Sequence, residues 1–260
     1  MTLEEILADK NLAIHKKKSE IHKSDFSNVL FDTANKALSD GNNSIEVLVY
    51  ECTISKNRNP FMFEQYKNGY VLNHSVGMRY IKILFCYNST DPTYSQDKEN
   101  WDKYYPTVVN QEEADKHGYF WAVLEAKNVE GSAVVKGSNF LTPVLSMEQI
   151  DENTIKVKLA VSPSNIIDSH RDCHIQGLWK KTLNENMYDL LLQEHDMDFD
   201  KVIADSINDE LKVYTEMIPI KELLSKFKKA NKSEAGKSHF ETNKNEPTEV
   251  TQKGNIHLFI

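Results

Sequence analysis

Glycine is scarce in this chain, nine residues in 260, and no stretch gathers enough of them for the phosphate-cradling loop of a nucleotide-binding protein. Cysteine is rarer still. Cys52, Cys86 and Cys173 are odd in number and far apart, which argues against a disulfide framework and suits reduced thiols. An excess of basic residues is also missing: 31 Lys and Arg face 39 Asp and Glu, a net charge of -8. That balance does not suit a general binder of a phosphate lattice or an anionic bilayer. No run approaches the roughly 18 consecutive apolar residues of a membrane span. Neither nucleic acid nor membrane is therefore an expected partner.

What remains is a chain that is 40% hydrophobic, enough to build a core. Its first residues, MTLEEILADKN, are acidic and amphipathic where a secretory signal would be basic and then apolar, so a cytoplasmic chain is expected. Leu3, Ile6, Leu7 and Ile14 predict a short arm helix over 3–14. The one basic cluster, HKKKSEIHK at 15–23, reads as a solvated helix end. From 227 the composition turns to Lys, Glu, Asn, Ser and Thr, which predicts a disordered tail ending in the apolar tip NIHLFI. The expected organisation is an arm at 1–25, a domain at 26–226 and a tail at 227–260.

Within the domain, a turn at Asp40–Asn43 precedes the alternation of Ile45, Val47 and Val49, which predicts a strand over 45–54. NPFMFEQYKNGY predicts a short helix entered through Asn59 and Pro60 and closed by Gly69. The polar stretch 88–118 carries two helix signals and is expected to cover one face. Further strands are predicted in YFWAVLEAKNVEGSAVV and TIKVKLAV, and a helix then a buried strand in LWKKTLNENMYDLLLQEH. KVIADSINDELKVYTEMI predicts two strands around an Asn-Asp turn. The class is α+β with a mostly antiparallel sheet or barrel.

Three places set reactive side chains into apolar strands. Ser75, in VLNHSVGMRY, is followed by Val76 and Gly77, where a bare backbone allows close approach and N–H groups could face an oxyanion. His195 ends the apolar run LLLQEHD and could take a proton from a serine on a neighbouring strand. Glu130 in NVEGSAVV could orient an imidazole. A serine, a histidine and an acid are the parts of acyl transfer, whose order along a chain is free. Each also has an ordinary structural role open to it. His74 is a rival base, but as a strand neighbour of Ser75 it should face the other way. Asp168, His170, Asp172, Cys173 and His174 form a second cluster. It lacks a partner pair at zinc-finger spacing, so a loop tightened by Asp and Ser bonds to its own backbone is expected, with a metal-dependent hydrolase as the rival.

These segments resemble the prohead proteases of tailed bacteriophages. IIDSHRDCHIQGLWKKTL is similar to that family's D-S-H-x-D element, LLLQEHD to its general-base segment and NHSVGMRYIKI to its nucleophile segment. VEGSAVVKGSNFLTPV resembles its late strand, and the likeness covers about 44–145 and 154–216. The order differs, because the DSH and QEH segments here follow the other two, with joins near 25/26, 149/151 and 226/227. The resemblance implies a compact β-barrel flanked by helices, related to the herpesvirus assembly proteases. It further implies Ser75 as nucleophile, His195 as base, Glu130 as third member, and no cofactor or metal. The implied substrate is scaffold or major capsid protein inside the immature head in the host cytoplasm, with self-cleavage and a homo-oligomer both compatible. The alternative is a catalytically silent scaffold or capsid-assembly protein that uses the tail to bind capsid protein.

Overall fold

A computed structural model of the chain describes residues 44–139, 141–185 and 188–235. The arm helix, the basic cluster, the turn at 40–43 and the NIHLFI tip lie outside the described residues. Nine strands are described: β1 Ser44–Ser55, β2 Asn73–Tyr87, β3 Tyr119–Val134, β4 Val144–Gln149, β5 Thr154–Pro163, β6 Asp172–His174, β7 Leu190–Gln193, β8 Val202–Asp205 and β9 Leu211–Pro219. The helices are α1 Pro60–Lys67, α2 Ser95–Tyr104, α3 Gln111–His117, α4 Lys180–Asn184 and α5 Ile220–Ala235.

The local chemistry of α1 and α3 explains their limits. Asn59 caps α1 by accepting the Met62 N–H at 3.0 Å, Pro60 occupies the first turn, and Gly69 leaves it at φ +70°. α3 carries Glu112 and Glu113 at its positive end and Lys116 and His117 at its negative end, then stops at Gly118. α5 runs on to Ala235, past the composition change at 227. Lys, Ala and Glu are good helix formers, so loss of apolar residues there does not by itself end a helix.

The strands form two sheets. One has the order β4-β5-β1-β9 and is antiparallel throughout; the other has the order β2-β3-β7-β8, with β6 also on β3. In the second sheet β2 pairs antiparallel with β3 and β8 antiparallel with β7, while β6 and β7 run parallel to β3. The α+β, mostly antiparallel expectation is met, but the closed barrel is not. The reason lies at the Asn208–Asp209 corner: β8 stays on β7, whereas β9 leaves to pair with β1 from Cys52↔Leu211 onward. Arg58 fixes that corner, its guanidinium reaching Asp205 at 2.5 Å and Glu210 at 2.7 Å. Each sheet therefore keeps its own edges, and closure of a barrel requires one continuous ladder.

The main core lies between the sheets. Leu48, Tyr50, Cys52 and Ile54 of β1 and Val157 and Leu159 of β5 meet Ala126 and Ala133 of β3, Leu191 of β7 and Ile203 of β8. A second cluster packs Val47 and Val49 under Leu223 and Leu224 of α5, so β1 is buried on both faces. The stretch 88–118 covers a face, as expected: Trp101, Tyr104 and Ala114 pack on Cys86, Phe120 and Ala122 of the β2–β3 pair. Cys52, Cys86 and Cys173 are buried free thiols. Burial pushes the Cys86 thiol up to about 12, so it stays protonated.

Candidate active site

The antiparallel pairing of β2 with β3 sets out the site. Its register places His74 opposite Ala133, Ser75 opposite Ser132, Val76 opposite Gly131 and Gly77 opposite Glu130. Directly opposed residues share a face and successive residues alternate. Ser75, Gly77, Glu130 and Ser132 therefore line one face. His74, Val76, Gly131 and Ala133 line the other, against the core; Ala133 and Val76 belong to that cluster.

Gly77 earns its place here sterically. A Cβ built on it would stand 2.1 Å from Glu130 Oε1, so the absent side chain is where the carboxylate sits. The group that comes close at Gly77 is the Glu130 side chain, where a backbone was expected. On the opposite face a Cβ at Gly131 would meet the Tyr50 ring at 2.5 Å. Gly77→Ala is expected to displace Glu130 and release His195. The checks are a His195 titration by NMR that moves toward the ordinary value and a lower melting temperature.

Glu130 is only 2% exposed, and an unpartnered carboxylate at that depth would be costly. Each of its oxygens has a partner. His195 Nδ1 lies 2.6 Å from Oε1, and Ser132 Oγ donates to Oε2 at 2.6 Å. Ser132 also accepts the backbone N–H of His195 at 3.1 Å. Because a carboxylate only accepts, Nδ1 carries the ring proton and Nε2 presents its lone pair. The bond from Glu130 raises the pKa of His195; partial burial opposes this, and the charges of Glu130 and Glu194 add to it.

His195 arrives from the parallel strand β7, where Leu191, Leu192 and Gln193 pair with Gly131, Ser132 and Ala133. The chain then turns over Ser132, the residue directly across from Ser75. Opposed Cβ atoms of such a pair are about 4.5–5.5 Å apart. Ser75 is partly exposed, whereas Ser132 is fully buried and its hydroxyl is engaged by Glu130 and by the His195 N–H. No hydrogen bond joins Ser75 Oγ to His195 Nε2 in this structure, and catalytic hydrogen bonds commonly tighten only when substrate is present.

The rival base is elsewhere. His74 is fully buried on the core face, its Nε2 at 3.0 Å from Tyr66 Oη and its Nδ1 at 2.8 Å from the Thr142 carbonyl. Burial lowers its pKa to about 4, which the Thr142 bond only partly opposes. The second cluster disperses. Asp168 accepts the N–H groups of His170 and Asp172, the turn expected from sequence, while the His170 side chain stays exposed. Asp172 accepts from Tyr80 Oη, Cys173 is buried among Cys86 and Phe120, and His174 bonds Ser162 at 2.8 Å. Among the described residues no group of three or more His, Cys, Asp or Glu is placed to hold a metal ion.

Sequence reading missed Ser132, although its place two residues after Glu130 on a strand puts both side chains on one face. It also missed β4 and β6, and the turn that presents His195. No family model matches the chain, and no curated protein or solved structure gives a significant match.

Proposed function

We propose that the chain is a serine endopeptidase of the prohead-maturation type, acting on scaffold or major capsid protein within an immature phage head. The observation that carries this reading is the Glu130–His195 contact, fixed by Ser132 on the face that Ser75 shares. Ser75 stands directly across from Ser132, whose hydroxyl holds both the Glu130 carboxylate and the His195 backbone. The chemistry follows from the tautomer. His195 Nε2 takes the proton of Ser75 Oγ as the oxygen attacks the scissile carbonyl, and the imidazolium is stabilised by Glu130 through Nδ1–H. Backbone N–H groups near Val76 and Gly77 receive the oxyanion. His195 then protonates the leaving amine, and water releases the acyl group by the reverse sequence.

Phage-type substrate and location come from the likeness of the four segments, whereas the hydrolytic chemistry rests on the geometry. The test uses the full chain and a fluorophosphonate, which phosphonylates an activated serine. Expected is one adduct, on Ser75 by peptide mass spectrometry, absent from denatured protein. A native chain that takes no adduct at Ser75 would leave the catalytically silent scaffold-binding reading in its place.

A further inference from the structure

The turn that presents His195 is made of residues that do not favour its shape. Glu194 has φ +51° and His195 φ +60°, left-handed values that non-glycine residues disfavour. Asp196 N–H donates to the Gln193 carbonyl at 3.0 Å, closing a reverse turn with positive φ at both central positions. Such turns usually carry Asn and Gly there. A Glu-His pair persists in it only if the surroundings hold it. Three bonds do so, to the end of β3 and the residue after it: Glu194 N–H to the Ala133 carbonyl at 3.0 Å, His195 N–H to Ser132 Oγ at 3.1 Å, and Val135 N–H to Glu194 Oε1 at 2.7 Å.

We propose that Glu194 and Ser132 are positioning residues that clamp this turn and so set where the His195 ring stands over the β2–β3 face. The inference rests on the hydrolase reading, and neither residue touches the reacting atoms. Ser132 ties the His195 backbone to the same hydroxyl that braces Glu130, so base and orienting acid share one anchor. Glu194 ties the turn to the first residue beyond β3. The charged groups that act on the ring are Glu130 from β3, which pairs with it, and Glu194 from the turn itself, which acts through its charge alone.

The experiment uses the full chain and three variants: Glu194→Gln, which keeps an acceptor for Val135 N–H and removes the charge, Glu194→Ala, which removes both, and Ser132→Ala. Ring nitrogen shifts of His195 are followed through a pH titration, together with the rate of fluorophosphonate labelling and the melting temperature. Expected is a lower His195 titration in both Glu194 variants. The plateau labelling rate should fall less than threefold in Glu194→Gln, but about tenfold in Glu194→Ala and Ser132→Ala, since small misplacements of a base are expensive. The proposal is overturned if Glu194→Ala leaves the ring shifts and the plateau rate as in the parent, or lowers only the melting temperature. If the parent takes no label while the ring shifts move in Ser132→Ala, and further in Glu194→Ala than in Glu194→Gln, the hydrolase reading fails and the clamp stands.

Discussion

Ser75→Ala is expected to lower peptide-bond hydrolysis by about 10⁴–10⁶-fold, the range seen when the nucleophile of such a triad is removed. The cause is local: the change deletes one hydroxyl from a partly exposed position and leaves the Glu130, Ser132 and His195 contacts in place. Stability should therefore move by less than about 1 kcal/mol, and the His195 titration should stay raised. On the proposed mechanism His195→Ala should cost a similar factor, and the double variant little more than either, since nucleophile and base would serve one shared step. Rates on a capsid or scaffold substrate, with melting curves as control, check all three. A Ser75→Ala chain that cuts at the parent rate would remove Ser75 from the mechanism, whatever the geometry.

The parts of this site that were legible in the sequence are those governed by period two. Ser75 and Gly77 in one apolar strand and Glu130 in another announce their faces by alternation, and His74, the residue before Ser75, had to point away. Whether the two strands would pair, and in which register, was not legible, since pairing is a long-range outcome of core packing rather than a property of either segment. Ser132 went unnoticed for that reason: a serine in VEGSAVV gains meaning only once Gly77 stands opposite Glu130 and makes room for the carboxylate. Nor could the His195 turn be read, because its left-handed residues defy turn propensity and are held by contacts distant in sequence. The barrel expectation failed for a related reason. KVIADSINDELKVYTEMI shows two strands and a turn but does not say that they serve different sheets.

Glu130→Gln is expected to reduce turnover by about 10³–10⁴-fold and to change the pH profile, two effects with separate causes. The first is tautomeric. An amide can offer an N–H to His195 Nδ1, which places the ring proton on Nε2 and leaves no lone pair for Ser75. The second is electrostatic. In the parent, the Glu130 bond raises the pKa of His195 above the ordinary value of about 6.5, and only the neutral ring can act as base. Activity should thus rise as the pH climbs through that raised value. The stabilisation from the charged pair runs the other way: it is fully present below about pH 6.5 and is lost as the pH rises through the folded value. The chain should accordingly be most active where this pair contributes least to its stability. Glu130→Gln removes the largest cause of the raised limb and with it most of the pH-dependent part of the stability, the Glu194 charge remaining. A pH–rate profile and melting curves across pH 5–9 check this, and an acid limb that does not move between parent and variant would mean that Glu130 is not what holds the His195 proton.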